Sequence, residues 1–345
     1  MSRKNIHSGL SRKIEQYLCR CSIGELLPPE QKLADYFQVS KPTLRLALAP
    51  MLESGFLEAV NGVGNVVRKL PQTLRKELIF VCTDLVFFAD TLKNFSIETT
   101  DSGYISSIVS LSGDEATRVR IMNTVFERDP AGIVLYLGYP ETPFQMPTPR
   151  LPLLHLIRRH SGLPGDLLTL QNSKSMAQLV RQFYSEGYRK FALFGWHVNP
   201  NAAAEREQGF REGLGKVRLN VREKLICTSP DSVEDFFECF LHPTKSPDVV
   251  CCLNDHCAGD LLCELKRRGI PYDGLRISGF DCSPMTAFFP RSILTVRLPL
   301  AELGRRAARL LIRRIENPCL APFHEKLESE QIETEPMGFF NHLNQ

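Results

Sequence analysis

Residues Ile23–Val67 read IGELLPPEQKLADYFQVSKPTLRLALAPMLESGFLEAVNGVGNVV, and the order of local signals in this stretch decides the fold. Pro29-Glu30 opens a helix whose inward stripe is Leu33, Ala34 and Phe37. Gln38-Val39 makes a turn. Ser40 is a good N-cap for a second helix, and Pro42 falls in its first turn, where the missing N–H is not needed. Leu44, Ala47 and Leu48 then face inward at helical spacing, which leaves Lys41, Thr43 and Arg45 on the outer face. Phe56–Val60 and Asn65–Val67 read as two short strands, and Asn61-Gly62-Val63-Gly64 between them is hairpin chemistry. One residue conflicts with this pattern. Pro50 lies inside the second helix, where a proline costs about 3 kcal/mol, so a kink or break is expected near Ala49.

Helix, turn, helix and glycine-bearing hairpin is the order of a winged helix-turn-helix, a unit that puts its second helix into the major groove of DNA. Lys, Thr and Arg are residue types that reach phosphates and guanine edges. Glycines at a wing tip let backbone approach DNA closely. The segment resembles the GntR-type winged helix. Leu27-Pro28 and Glu30 match that family's approach to its first motif helix, Val39–Arg45 its recognition helix, and Gly62–Val67 its wing. Where the family often has an arginine after the glutamate, this chain has Gln31. The resemblance implies that Gln31, Ser40, Lys41, Thr43, Arg45, Gly62 and Gly64 face DNA.

Charge follows the same division. Residues 1–76 hold 12 Lys+Arg against 6 Asp+Glu, and the rest of the chain holds 30 against 33. A basic head suits phosphate contacts. The chain opens on a polar stretch with no apolar run of membrane-spanning length, so a cytoplasmic protein with no membrane partner is expected. The 11 cysteines are an odd number without a C-x-x-C pair, which reads as buried reduced thiols and no metal site.

Residues 70–77 are charged, contain Pro71 and have no apolar period, and read as a linker after a head of residues 1–69. From 78 to 337 apolar strand-like runs alternate with helical stretches. The strands are expected at Leu78–Cys82, Gly132–Leu137, Leu153–Ile157, Lys190–Phe194, Val249–Leu253 and Ile277–Phe280. Asp114–Glu127, Ser173–Glu186, Ala203–Gly213, His256–Arg268 and Leu300–Ile315 are the candidate helices. This alternation argues an α/β body of parallel sheets flanked by helices, and its length argues two lobes.

Ligands of such sheets bind beyond the carboxyl ends of the strands. There stand Asp84 and Phe87-Phe88, Gly138-Tyr139, Trp196-His197, Asn254-Asp255 and Asp281. Taken singly, each of Asp84, Asp255 and Asp281 is more often a helix N-cap than a ligand contact. Together, carboxylates, an amide and aromatic faces suit a neutral polyhydroxylated ligand.

The body resembles the effector domain of lactose/galactose-type repressors, which is itself similar to periplasmic sugar-binding proteins. The resemblance rests on an ordered series. It runs through Asp129–Val134, Gly187–Lys190, Arg206-x-x-Gly209-Phe210, Asn254-Asp255-x-x-Ala258, Gly269-Ile270-Pro271, Ile277-x-Gly279-Phe280-Asp281, Leu294–Val296 and Glu302-Leu303-Gly304-x-x-Ala307. It implies ligand contacts from Arg206, Asp255 and Asp281, beside Asp84, Phe87, Trp196 and Asn254. The chain departs from that family at Gln171-Asn172 and at Ile332–Glu335, and no hinge helix follows the head. A GntR-type head on this body resembles the arabinose-repressor type of regulator. The expected partners are an operator in double-stranded DNA, a sugar effector and a second copy of the chain. Activation or corepression by the sugar stays open. An enzyme domain is the remote alternative. No nucleophile elbow, phosphate loop or paired catalytic carboxylates are found, so neither catalysis nor a cofactor is expected.

Overall fold

The computed structural model describes residues 10–11, 13–15, 17–18, 21–69, 77–138, 151–160, 163–196 and 199–335. The chain divides into two compact units, Met1–Lys76 and Glu77–Gln345. Of the expected linker, residues 70–76 lie outside the described residues, and Glu77 already belongs to a strand.

In the first unit, helices Glu30–Tyr36 and Lys41–Glu53 are followed by an antiparallel hairpin of β1 (Leu57–Val60) and β2 (Gly64–Val67). Gln38 turns the chain between the helices in a left-handed conformation, φ 55°. A further helical stretch precedes the motif, with Leu10, Ile14 and Leu18 buried against Leu33, Leu44, Leu48 and Met51. The break expected at Ala49 does not occur: the second helix runs through Pro50 to Glu53. Pro50 lies in the last turn on the exposed side, and its carbonyl accepts from the Ser54 backbone and hydroxyl (2.6 Å to Oγ). Its missing N–H therefore costs one bond, at the neighbouring Leu46 carbonyl, where water has access.

The second unit holds two six-stranded sheets. The first contains β3 (Glu77–Cys82), β4 (Ile105–Ser110), β5 (Gly132–Tyr136), β6 (Leu153–Leu156), β7 (Asp166–Leu170) and β13 (His324–Leu327), in the order β13-β7-β6-β5-β3-β4, all parallel. The second contains β8 (Phe191–Phe194), β9 (Ile226–Cys227), β10 (Val249–Cys252), β11 (Arg276–Ser278), β12 (Leu294–Arg297) and β14 (Glu330–Glu333). Its order is β14-β12-β11-β10-β8-β9, with only β14 antiparallel. The strands are apolar runs because helices cover both faces.

The chain passes between the sheets three times: after β7, after β12 and between β13 and β14. Helices Asn172–Ser185 and Pro200–Lys216 pack together on the second sheet, with Gly209 set against the Ser173 backbone. Helix Leu300–Glu316 returns to the first sheet and lies along helix Ala89–Asp101. There Gly304 is held so close to the Thr91 carbonyl that a Cβ would sit 2.1 Å from it.

Candidate functional site

Two regions gather the chemistry, one in each unit. On the head, the Ser40 hydroxyl accepts from Thr43 N at 3.3 Å and lies 2.7 Å from Thr43 Oγ1. The Ser40 hydroxyl thus caps the recognition helix, and Thr43, half-buried, packs its hydroxyl on that cap. The outward face comprises Lys41, Pro42, Arg45, Leu46 and Ala49, with Thr43 at its edge. Arg45 Nε donates to Glu30 Oε2 at 2.8 Å, with the arginine side chain 68% exposed. That leaves its terminal nitrogens pointing away from the protein with no partner among the described residues. Gln31 is exposed and spans one helical turn to Asp35, 2.9 Å. At the wing, Gly62 and Gly64 have φ of 76° and 126°, a region that glycine enters without strain.

In the body, the second lobe builds its rim from the turns after β8, β10 and β11. Arg206 is 4% exposed and makes three contacts: Nη2 to Asp281 Oδ1 at 2.8 Å, Nη1 to the Leu253 carbonyl at 2.5 Å, and Nε to Asn172 Oδ1 at 3.3 Å. Its guanidinium lies 3.8 Å above the Phe280 ring, a stacked cation on an aromatic face. Asn172 in turn donates to Glu205 Oε2, 2.8 Å. Asp281 and Cys282 both adopt positive φ, 100° and 55°, an unusual pair for residues with side chains. Burial raises the Asp281 carboxyl above its ordinary range, and Arg206 pulls it back.

Asp255 sits deeper than the sequence suggested. It is 0% exposed; Oδ1 accepts from the Thr295 hydroxyl at 2.7 Å and Oδ2 from Ser283 N at 2.5 Å. Burial pushes it up to about 7, against the opposing pull of those two bonds. It lies under the 281–283 turn, with both oxygens engaged by the protein. Its neighbour Asn254 caps helix Asp255–Arg267 through Oδ1 (Cys257 N, 2.8 Å), leaving Nδ2 without a protein partner among the described residues. Trp196 is half-buried, its ring edge-on to Phe194 at 5.2 Å.

The first lobe contributes the turns after β3, β5 and β6. Asp84 is exposed and its Oδ1 accepts from Phe87 N, 2.9 Å, so it does serve as a turn cap, yet one oxygen stays open. Phe87 packs on Phe88, and Phe88 on Tyr136, with centroids 4.9 and 4.4 Å apart. Sequence reading passed over Tyr136 and Arg158. The first is the last residue of a strand, where alternation alone could have pointed it at the rim. The second carries no pattern of its own. Arg158 Nη2 donates to the Leu137 and Gly138 carbonyls, both at 2.9 Å, and Gly138 N donates to Thr83 Oγ1 at 2.6 Å. Burial pushes the Tyr136 phenol up to about 12, reinforced by the negative charges of Asp84, Cys82 and Asp281 and opposed by Arg158. Tyr139 and His197 lie outside the described residues. Among the described residues no cluster of His, Cys, Asp and Glu could hold a metal, and no helix is long and apolar enough to cross a membrane.

A winged helix-turn-helix joined to a two-lobed, periplasmic-binding-protein-like domain is the plan of a transcription regulator. The profile described as "Bacterial regulatory proteins, gntR family" matches residues 4–67, and that of the "Periplasmic binding protein-like domain" matches residues 180–333. The chain is 24% identical over 259 residues to a ribose operon repressor of Haemophilus influenzae, covering 72% of this chain and 77% of that one. It is 24% identical over 188 residues to the HTH-type transcriptional repressor PurR of Vibrio atlanticus, covering 48% of this chain and 54% of that one, about half its length. A solved structure titled "transcriptional regulator CelR-cellobiose complex" superposes with a TM-score of 0.62 at 17% identity, over 89% of this chain and 98% of the other. At that identity the likeness speaks for the fold.

Proposed function

We propose that the protein is a repressor that binds a DNA operator through its winged helix, as a homodimer, and releases it when a sugar or sugar derivative occupies the cleft of its body. The observation that carries the effector half is the buried Arg206–Asp281 pair on the strained 281–282 turn, with Asp84 and Tyr136 at the carboxyl ends of β3 and β5 in the other lobe. A neutral hydroxylated ligand suits that set: Asp84, Asp281 and the open Nδ2 of Asn254 exchange hydrogen bonds with hydroxyls, while Phe87, Tyr136 and Trp196 cover C–H faces. A net anion would meet the carboxylates of Asp84 and Asp281, while Arg206 and Arg158 already have protein partners. The similarity to a ribose operon repressor supports a small-molecule signal and leaves its identity open. The role needs no catalytic step and no cofactor. Residues 1–69 would bind DNA, 78–337 the effector and the second copy, and the linker would carry the signal.

A thermal-shift screen of the full chain against a panel of monosaccharides and disaccharides tests the effector. A ligand present at about 100 times its Kd stabilises the folded state by roughly 2.7 kcal/mol. A gel-shift titration with the responding sugar then tests the direction. Release of operator supports repression with induction. Tighter binding on adding sugar would replace this reading by corepression or activation.

A further inference from the structure

The recognition helix carries an apolar strip where a groove-reading helix meets base edges. At about 100° per residue, Leu44, Ala47, Leu48 and Met51 share the buried face of helix Lys41–Glu53. Pro42, Leu46 and Ala49 centre on the opposite face, beside Arg45. Leu46 is 63% exposed, one of the most exposed large aliphatic side chains of the head, and it is not part of the head's buried core. A leucine there buries little of its side chain on folding. Arg45 beside it and Lys41 at the start of the helix are exposed cations, which draws this face toward a polyanion rather than an apolar protein surface. The only apolar group that base pairs present in the major groove is the thymine 5-methyl.

We propose that Leu46 packs against a thymine methyl, with Pro42 and Ala49 flanking it, so that each operator half-site carries an A·T pair beside the base pair read by Arg45. This inference rests on the reading of the head as a DNA-binding unit and adds a specificity-determining residue to it. Glu30 holds the Nε edge of Arg45, so the arginine fork and the leucine project from one face as a fixed pair.

The test begins with the full-length protein and a randomised duplex pool, from which the bound sequences are selected and sequenced. Each thymine of the selected site is then replaced singly by uracil, which lacks only the 5-methyl group. For the wild-type protein, one position per half-site should weaken binding by about fourfold, the change expected for one buried methyl. Leu46→Ala should bind the thymine and uracil duplexes equally, with unchanged affinity for a non-specific duplex and an unchanged melting temperature. Indifference of the wild type to uracil at every position overturns the proposal. So does a full uracil penalty that persists in Leu46→Ala. A pool with no enriched sequence would instead remove the DNA-binding reading beneath it.

Discussion

Asp255 shows how much one carboxyl can be asked to do. Its acid form is favoured in the folded protein, with a value of about 7 against about 3.9 in an unfolded chain. A raised folded value contributes stability that is complete below about pH 4 and is lost as pH climbs through 7. At roughly 1.4 kcal/mol per pK unit, this is on the order of a few kcal/mol. Asp255→Asn copies the neutral acid: the amide oxygen accepts from Ser283 N, and the NH2 donates to the Thr295 hydroxyl. Urea unfolding should therefore show the variant matching wild type below about pH 4 and exceeding it at pH 8. A parallel pH dependence in the two proteins would disprove the assignment. The same pocket explains Gly279, where a Cβ would lie 2.0 Å from Asp255 Oδ1. Gly279→Ala should cost about 1–3 kcal/mol through overpacking, read from the same denaturation curves. At this scale the sequence was only half legible. The motif Asn254-Asp255 marked the turn and both were read as ligand contacts, but periodicity cannot say which of two adjacent polar residues looks inward; the structure buries Asp255 fully.

Secondary elements were legible where their pattern was self-contained. The head helices, the hairpin and the strands with four or more apolar residues follow from local spacing and caps. The helical stretch carrying Leu10, Ile14 and Leu18 was missed although its i, i+4, i+8 spacing was available. Strand β4, ISSIVS, is a half-exposed edge whose serines hide the alternation, and helix Ala89–Asp101 is rich in threonine and has no side-chain cap. Pro50 was misjudged because an interior cost was applied to a last turn. Between elements, the Glu30–Arg45 pair links the first motif helix to the recognition helix. Its charges are largely exposed, so Glu30→Gln should leave the unfolding free energy within about 1 kcal/mol of wild type. It should still weaken specific operator binding several-fold, since Arg45 must then be oriented on the DNA. Equal loss on specific and non-specific duplexes in a gel-shift titration would count against a positioning role. Gly64→Val strains a φ of 126° at the wing; it should lower DNA affinity while calorimetry shows sugar affinity unchanged.

For the whole molecule, the proposed signal is a closure of the two lobes about their three crossings. A ligand can shift DNA affinity only through its differential binding to the two states, typically 1–3 kcal/mol. Asp281→Ala should give a protein that holds its operator at wild-type affinity and is no longer released by the responding sugar. Release at the wild-type sugar concentration would take Asp281 out of the site. The two-lobed plan was legible from strand and helix alternation, while the crossings were not. They depend on which sheet β13 and β14 join, and β13 pairs with β7 over more than a hundred residues, which no local pattern records.

Those crossings also set a schedule for synthesis. The first sheet receives its edge strand β13 and its covering helix Leu300–Glu316 only after the whole of β8–β12 has been made. On the ribosome, the early strands β3–β7 must wait, one flank uncovered, while the second lobe emerges. At about 5–20 residues per second, the interval between Leu170 and Leu327 is on the order of ten to thirty seconds. A nascent chain stalled before residue 300 should present that uncovered flank to chaperones, whereas the winged head, built wholly from nearby residues, can fold as soon as it clears the exit tunnel.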